Sequence, residues 1–219
     1  MTREPILIFD LDGTLIDSAP SILATFARVL EEVGINAQVP LQNSLIGPPL
    51  PETLSTLTGI NDPQRIQVLI ELFKQHYDGG TYRETLAYPG ISEMLNALHG
   101  LGYQQHIATN KRYAPTRLIV EHLGWGGLFQ SIHALDRHTP RLPDKSALLG
   151  HLLNEQGLRA EQSLYIGDKA EDALAAERNR IPFLAVAWGY GDFGASGRWN
   201  VLDTPASLLK KLSHGQPPF

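Results

Sequence analysis

The sequence predicts an α/β fold: a doubly wound, mostly parallel core of five to six strands with an inserted all-α helical cap. Short, continuously apolar runs, typical of strands buried on both faces, alternate with amphipathic segments of helical spacing. Early in the chain several helical segments follow one another without a strand between them, which indicates an insertion. We therefore expect an α/β core over 1–17 and 84–219 and a helical cap over 18–83.

The first predicted strand, over 6–9, leads into the segment FDLDGTL over 9–15. Asp10 and Asp12 are two positions apart, so their side chains leave the same face while the chain stays extended. Gly13 then allows a sharp turn without the steric cost of a Cβ atom. Carboxylates this close repel each other and require a cation, a shared proton or a charged partner. Taken alone, the segment also fits a polar turn without function.

The region after this strand contains only helical patterns. Ser18 is a suitable helix cap, and apolar residues at helical spacing lead to Gly34, a natural stop. Two short helices are predicted over 41–46 and 52–58, and a longer one begins at Asp62-Pro63. This run of helices is the predicted cap.

The alternation of strand and helix resumes after Pro89-Gly90. Because the carboxyl ends of parallel strands meet at one edge of the sheet, we expect the polar residues that follow these strands to share a crevice. Predicted strands lie over 103–108, 131–135, 163–166 and 181–187, the last of them the final core strand, and predicted helices lie over 91–99, 113–123, 144–156 and 170–179.

Several polar residues are predicted to meet Asp10 and Asp12 at that edge. Thr109 and Asn110 follow one strand, Asp168 follows another, and Asp172 lies one helical turn beyond Asp168. Lys145 begins a helix that follows a further strand. Each also has a purely structural interpretation. Thr109 would then be a helix cap, Lys145 a solvated surface lysine, and Asp168 and Asp172 a helix cap and a first-turn acid. Their convergence on one edge favours the functional interpretation.

Composition narrows the classes of function. The 219 residues are 42% hydrophobic and 19% charged, as in ordinary globular proteins, and the net charge of −5 argues against a nucleic-acid or anionic-membrane surface. Without cysteine, a metal must be bound by oxygen or imidazole. No signal peptide or membrane-spanning run is recognisable, so we expect a cytoplasmic protein. Surface or packed roles are expected for the histidines at 76, 99, 106, 122, 133, 138 and 151, which show no ligand spacing.

Four motifs in this order resemble those of the haloacid dehalogenase superfamily, in its phosphatase branch with a helical cap after the first strand of a Rossmann-like core. They are DLDGT over 10–14, IATN over 107–110, Lys145, and GDKAED over 167–172. Lys145 departs from the pattern because the proline that often follows it is absent. Three further stretches are similar to phosphoglycolate-phosphatase-like members: GPPL over 47–50, YPG over 88–90 and AWGYG over 187–191.

The resemblance implies a mechanism with an aspartyl-phosphate intermediate. Asp10 would be the nucleophile, and Asp12 would protonate the leaving alkoxide and then deprotonate the attacking water. Thr109 would donate a hydrogen bond to the phosphoryl group, and Lys145 would offset its charge.

The resemblance also implies one Mg²⁺ ion as cofactor. Its ligands would be the carboxylates of Asp10 and Asp168 and the backbone carbonyl of Asp12, with Asp172 ligating the ion or orienting a metal-bound water. The expected substrate-binding residues are Thr109, Asn110, Gly47, Pro48 and Arg112.

We therefore expect a phosphatase acting on a small phosphorylated metabolite, with phosphoglycolate first and a nucleoside 5′-monophosphate second. No nucleic-acid or membrane partner is expected, and the chain would be a monomer or homodimer. A sugar phosphomutase of the same superfamily remains an alternative, because it would use the same acid at Asp12. A non-enzymatic phosphoacceptor module similar to receiver domains is a further alternative, although receivers have adjacent paired acids and no helical insertion of this size.

Overall fold

The computed structural model describes residues 5–193 and 198–213. Those residues form eight strands and eight α-helices, in the alternating order that the sequence predicts for most of the chain. The strands are β1 (Ile6–Phe9), β2 (Ile16–Asp17), β3 (Leu86–Ala87), β4 (Gln105–Thr109), β5 (Ser131–Ala134), β6 (Ser163–Gly167), β7 (Phe183–Val186) and β8 (Val201–Leu202). The helices are α1 (Ala19–Val33), α2 (Leu50–Thr58), α3 (Pro63–Tyr77), α4 (Ile91–Gly100), α5 (Tyr113–His122), α6 (Lys145–Gln156), α7 (Ala170–Arg178) and α8 (Pro205–Ser213).

Six of the strands form one parallel sheet in the order β5-β4-β1-β6-β7-β8. This confirms the predicted α/β fold with a parallel core. β1 is central and pairs with β4 on one side and β6 on the other, with Phe9 opposite both Ile107 and Ile166. The ends of the three strands therefore lie within two residues of one another, which brings the residues that follow them to one edge.

The apolar run of β1 is continuous because both faces of the sheet are covered. Leu7 and Phe9 join the larger hydrophobic cluster, whereas Ile8 points the other way into a second cluster with the apolar side of α6. All four residues of the strand are buried. This is the period-two alternation of a strand between two layers of helices.

The first three helices lie between two short strands that pair with each other. β2 and β3 form an antiparallel ribbon in which Ile16 is opposite Ala87 and Asp17 is opposite Leu86. Phe26 of α1 and Phe73 of α3 meet with ring centroids 4.8 Å apart, so these helices share an apolar interior. The ribbon places the entry and the exit of this helical segment side by side.

Three local predictions differ from the structure. The helix predicted over 41–46 is only a 3₁₀ turn at Asn43–Leu45, because the segment leads into a Gly-Pro-Pro sequence that cannot continue it. The strand predicted over 181–187 is shorter, and β8, not this strand, ends the sheet. Ser18 precedes α1, but its side chain does not cap the helix, since its hydroxyl binds Asp12 instead.

None of the described helices is long and apolar enough to cross a membrane.

Candidate active site

Asp10 is the first residue after β1, at the edge where the central strands end. Its backbone N–H donates to the carbonyl of Ile166 at 2.9 Å, so the strand pairing extends to the carboxylate itself. The chain then turns at Gly13, whose φ of 84° is readily adopted only by glycine. A Cβ atom at Gly13 would lie 2.2 Å from Oδ2 of Asp168, which explains the need for glycine in the motif.

Three buried carboxylates converge at this edge. One oxygen each from Asp10, Asp168 and Asp172 lies within 4.8 Å of the other two, and the residues are at most 5% exposed. Burial raises the pKa of Asp10 well above its usual value, with the neighbouring carboxylates adding to the effect and Lys145 opposing it. Burial, followed by the charge of Asp172, raises the pKa of Asp168 to about 6. We name these three residues the acidic cluster.

Lys145 is the cation that the structure places within the acidic cluster. It is the first residue of α6, and its Nζ lies 2.6 Å from Oδ1 of Asp172 and 3.0 Å from Oδ1 of Asp10. Burial alone would lower the pKa of Lys145, but the carboxylates of Asp10 and Asp172 raise it well above the usual value. The interpretation of Lys145 as a solvated surface lysine is therefore wrong.

The acidic cluster has more negative charge than one lysine balances. Although Oδ1 of Asp10 lies at ion-pair distance from Lys145, it accepts no well-directed hydrogen bond from the described residues and is shielded from solvent. Three buried carboxylates that a single lysine does not balance are costly unless a further cation or ligand satisfies them. The donor set consists only of oxygen, which suits a hard divalent cation. The residues at this edge therefore fit a divalent metal.

Asp12 does not join the other three carboxylates. Its Oδ1 accepts a short hydrogen bond from the Ser18 hydroxyl and lies 3.1 Å from Nζ of Lys111. The Lys111 ammonium also lies 4.8 Å from the ring centroid of Tyr77 in α3. Burial lowers the pKa of Lys111, but Asp12 and Tyr77 together outweigh this effect and raise the pKa above its usual value. Asp12 therefore stands apart from the acidic cluster, facing the helical segment.

Lys111 and Ser18 were missed by the sequence-based prediction. Lys111 follows Thr109-Asn110 by one position, and a lysine after a strand is ordinarily a solvated residue. Its side chain is only 6% exposed here. Its position in the sequence could have indicated its role. Lys111 directly follows the IATN motif over 107–110, and residues just after the end of β4 lie near the site.

Thr109 and Asn110 lie where the sequence predicts them. The buried Thr109 hydroxyl accepts a hydrogen bond from the backbone N–H of Lys111 at 3.2 Å, which orients it at the end of β4. The Asn110 amide donates to the carbonyl of Gly47 at 3.1 Å and to Glu171 at 3.2 Å. Asn110 thus links the core to the loop before α2.

A second contact holds the same loop on the core. The Lys169 ammonium donates a very short hydrogen bond to the carbonyl of Ile46. Gly47 has a φ of 114°, and a Cβ there would lie 2.8 Å from the Lys169 ammonium. Only glycine therefore lets this loop approach the edge of the sheet so closely.

Arg112 is held by an acid at the end of α3. Its guanidinium forms two hydrogen bonds, of 2.7 and 2.6 Å, with the carboxylate of Asp78. Such a bidentate pair is directional and joins core and helical segment at a second point. Arg112 also lines the cavity beside Asp12, so its predicted substrate contact would require it to share its charge with Asp78.

The loop after β7 binds both Asp168 of the acidic cluster and the residues that precede α1. The backbone N–H of Tyr190 donates to Oδ2 of Asp168 at 2.8 Å. Its phenol accepts from the backbone N–H of Ser18 at 2.8 Å and donates to Asp17 at the same distance. Gly189 is enclosed so tightly that a Cβ there would lie 2.3 Å from Asp168. One loop thus orients a carboxylate and the start of α1 together.

A cavity opens between the core edge and the helical segment, beside Asp12 and Lys111. The polar side chains in its lining include Asp12, Asn110, Lys111 and Arg112, and side chains from the helical segment supply the apolar part. Gly47 and Pro48, two of the residues expected to bind substrate, belong to its lining. The apolar walls consist of Ile22, Phe26, Leu45, Ile46, Leu50, Phe73 and Tyr77.

Comparison with known proteins agrees with this geometry. Residues 7–186 match the family described as haloacid dehalogenase-like hydrolase. The chain is 32% identical over 190 residues to a 5′-nucleotidase of Pseudomonas aeruginosa, covering 86% of this chain and 85% of that protein. It is also 32% identical over 221 residues to a phosphoglycolate phosphatase of Cereibacter sphaeroides, covering 95% of this chain and 99% of the relative.

Solved structures share the fold. The crystal structure of a predicted phosphatase from Clostridium acetobutylicum superposes with a TM-score of 0.84 at 24% identity and covers 97% of this chain and 100% of that one. At this identity the likeness concerns the fold alone. Together with the relatives, the findings confirm the predicted class of enzyme, a phosphoric monoester hydrolase. The chain belongs to the haloacid dehalogenase-like hydrolase family.

Proposed function

We propose that this hydrolase is a Mg²⁺-dependent phosphatase that acts on a small phosphomonoester through an aspartyl-phosphate at Asp10. The observation that carries the proposal is the acidic cluster with Lys145 inside it, next to a separate carboxylate, Asp12, that faces the cavity. Phosphoryl transfer requires in-line positioning and neutralised negative charge, and both can be provided at this edge.

In the first step the Asp10 carboxylate attacks phosphorus, and the bond between phosphorus and the leaving oxygen breaks. Asp12, in its protonated form, gives its proton to that oxygen, which leaves as an alcohol. The Ser18 hydroxyl and the Lys111 ammonium hold Asp12 in the lining of the cavity. This position lies between the core edge and the apolar walls, where a leaving group would sit.

In the second step water attacks the phosphorus of the aspartyl-phosphate. Asp12, now ionised, takes a proton from that water, and inorganic phosphate leaves with Asp10 restored. The Thr109 hydroxyl and the Lys145 ammonium would bind phosphoryl oxygens during both steps. The two half-reactions thus use Asp10 as the nucleophile that forms the intermediate and Asp12 as the proton carrier in both steps.

Asp10, Asp168 and the Asp12 carbonyl would hold the Mg²⁺ ion, with Asp172 binding or orienting a water. When bound, the ion would supply positive charge to the phosphoryl oxygens and balance the acidic cluster. The residues fit this role because their donors are all oxygen and one oxygen of Asp10 has no hydrogen bond.

Phosphoglycolate is the first substrate candidate. Asn110 and Lys169 hold the 46–48 loop, which lines the cavity, against the core, and this favours a small leaving group. The ammonium of Lys111, which lines the cavity, would attract a carboxylate on that group. A relative covering almost the whole chain carries the name phosphoglycolate phosphatase.

A nucleoside 5′-monophosphate is the second candidate. Phe26, Phe73 and Tyr77 line the cavity and would pack against a base. One relative, similar over 190 residues, carries the name 5′-nucleotidase. Accommodating a nucleoside requires the 46–48 loop to move away from Asn110 and Lys169.

The test is phosphate release from p-nitrophenyl phosphate, phosphoglycolate and a panel of nucleoside 5′-monophosphates, with Mg²⁺ and with a chelator. We expect Mg²⁺-dependent release and the highest kcat/KM for phosphoglycolate. Absence of release from every ester contradicts the proposal. Phosphate migration within a hexose phosphate, given a bisphosphate activator and without net release, would support the sugar phosphomutase alternative instead.

We further propose that the enzyme is cytoplasmic and works as a monomer or homodimer. Cell fractionation and light scattering coupled to size-exclusion chromatography would test these two statements. Recovery in the membrane fraction or a larger assembly contradicts them.

A further inference from the structure

A second group of potential metal ligands lies around β5, the strand at one end of the sheet. His133 belongs to β5, His138 follows the 3₁₀ turn at Leu135–Arg137, and Glu155 is in α6. One potential ligand atom from each residue lies within 4.8 Å of the other two. We name these three residues the histidine cluster. The proposed phosphatase mechanism uses none of them.

Two imidazole nitrogens of the histidine cluster are buried without a hydrogen-bond partner among the described residues. His133 is fully buried, and its Nε2 pairs with the Ser131 hydroxyl at 2.9 Å. Its Nδ1 has no hydrogen bond and lies 3.8 Å from Oε2 of Glu155. Nε2 of His138 is likewise shielded and unpartnered. Unpaired polar atoms of this kind call for a ligand, an ion or a water.

The Glu155 carboxylate is oriented towards these nitrogens. Its Oε1 accepts a hydrogen bond from Arg137 at 2.9 Å, which leaves Oε2 on the side of His133. His151 lies one turn earlier on α6, with Nε2 at 3.1 Å from Oε2, and its ring centroid is 4.0 Å from that of His138. Such contacts from a second layer of residues hold ligands in place in known metal sites.

We propose that the histidine cluster binds a divalent transition-metal ion, Zn²⁺ first among them, through His133 Nδ1, His138 Nε2 and Glu155 Oε2. Two imidazoles and one carboxylate form a common ligand set for Zn²⁺, which binds each at about 2 Å and leaves a fourth position for water. Ligand atoms around one ion lie within about 4 Å of each other. Small side-chain rotations that bring the three candidate ligand atoms closer together would therefore complete the site.

The chemistry of the ligands separates this site from the acidic cluster. Imidazole nitrogen suits Zn²⁺, Co²⁺, Ni²⁺ and Cu²⁺, whereas an all-oxygen site suits Mg²⁺. Burial lowers the pKa of His133 to about 4, so that its ring is neutral near pH 7 and can coordinate without losing a proton. Arg137 stays on the far oxygen of Glu155, where it does not block the lone pair that faces the histidines.

The experiment titrates Co²⁺, a spectroscopic substitute for Zn²⁺, into chelator-treated full-length protein in the presence of excess Mg²⁺, which keeps the acidic cluster filled. We expect visible absorption bands of a nitrogen-ligated Co²⁺ ion that saturate at one equivalent and disappear when Zn²⁺ is added. His138→Gln and Glu155→Gln should each weaken binding by at least about tenfold, since losing even a supporting residue costs that much. Far-UV circular dichroism verifies that both variants are folded.

Two further variants complete the test. His99→Gln alters an exposed histidine in the last turn of α4 and should bind Co²⁺ like the unaltered protein. Asp168→Asn disrupts the acidic cluster and should also keep the absorption bands. The proposal is overturned if both cluster variants bind as tightly as the unaltered protein, or if no saturable band appears. It is equally overturned if Asp168→Asn removes the bands. Because phosphatase activity is not measured, failure here is independent of the proposed function.

Discussion

The acidic cluster and the histidine cluster show two different ways in which one fold gathers charged or coordinating side chains. The acidic cluster is formed at the ends of adjacent strands, is buried, and contains its own lysine. The histidine cluster joins a strand, a turn and the exposed side of a helix, and its one carboxylate is about a third exposed. The first is therefore expensive to assemble without compensation, while the second leaves two unpaired nitrogens and costs less to assemble.

This difference follows from desolvation. Buried carboxylates repel one another and lose hydration. This unfavourable free energy has to be offset by a lysine or a bound cation. Buried neutral imidazoles lose much less hydration, and their unpaired nitrogens cost only a hydrogen bond each. Loss of a residue should therefore have the largest consequences in and around the acidic cluster and the smallest in the histidine cluster.

The largest expected effect is on catalysis at Asp10. Asp10→Asn should lower kcat by about 10⁴-fold or more, because losing a nucleophile removes the covalent route. Steady-state phosphate release measures this, and His138→Gln is the matched control expected to retain full activity. Comparable losses in both variants would contradict the separation of the two clusters.

The next effect concerns Asp12, the carboxylate outside the acidic cluster. Asp12→Asn should slow turnover by about 10²–10⁴-fold through loss of proton transfer. Rapid-quench measurement with a phosphate ester that has a good leaving group should reveal an accumulated phosphoenzyme, since such a group needs little protonation. Unchanged turnover in the folded variant would refute the assigned proton transfer.

A third effect tests a buried imidazole next to the histidine cluster. His106 shares the Ser131 hydroxyl with His133, and burial lowers its pKa to about 4 from an ordinary value of 6.5. Between pH 6.5 and about pH 4, His106 is protonated in the unfolded chain but neutral in the folded protein. The free energy of unfolding is therefore highest above about pH 6.5 and decreases as the pH falls towards about 4.

His106 alone should contribute about 2 kcal/mol of this loss between about pH 7.5 and pH 5, the value that linkage assigns to such a shift. Urea unfolding at both pH values of the unaltered protein and of His106→Leu gives the measurement. The free energy of unfolding of His106→Leu should depend less on pH than that of the unaltered protein. His99→Gln should show the same pH dependence as the unaltered protein. Identical pH slopes in all three proteins would mean that His106 does not titrate in this way.

A fourth effect tests how tightly the acidic cluster is enclosed. Gly189→Ala would place a Cβ atom 2.3 Å from the Asp168 side chain and from the carbonyl of Gly13. Overpacking of this kind should lower the free energy of unfolding by about 1–3 kcal/mol. Gly127→Ala, where an added Cβ would meet no atom within 4 Å, is the control for thermal unfolding. Equal melting temperatures would contradict the close packing.

The smallest effect is expected for Glu155 in protein free of transition metals. Glu155→Gln removes the ion pair with Arg137, in which both side chains are 32% exposed. Such surface pairs contribute about 0–1 kcal/mol, and salt reduces this further. Urea unfolding with a chelator present measures the change. A larger loss would show that the histidine cluster is stabilised by its charges rather than left open for an ion.

Much of the acidic cluster could be predicted because it depends on local sequence. Asp10 and Asp12 directly follow an apolar run, and parallel strands necessarily bring their ends together, so Asp168 could be assigned to the same edge. The paired strands β2 and β3 were not predicted, since two-residue strands have no recognisable periodicity. Nor was β8, for the same reason.

Contacts between distant segments could not be predicted. Lys111 is an ordinary polar residue in the sequence, and the AWGYG stretch does not show what Tyr190 contacts. Their importance comes from the atoms they meet: Asp12 for Lys111, and Asp168 and Ser18 for Tyr190. His133, His138 and Glu155 have irregular spacing, so no motif could join them.

The amino-acid sequence by itself determined the parallel core, the order of its elements and the carboxylates at the strand ends, because periodicity and turn residues act over short distances. Only the tertiary structure decided which side chains surround Asp12, how the 46–48 loop is held and where the histidines meet. The reason is physical: burial and hydrogen bonding between segments depend on three-dimensional packing, which local patterns do not encode.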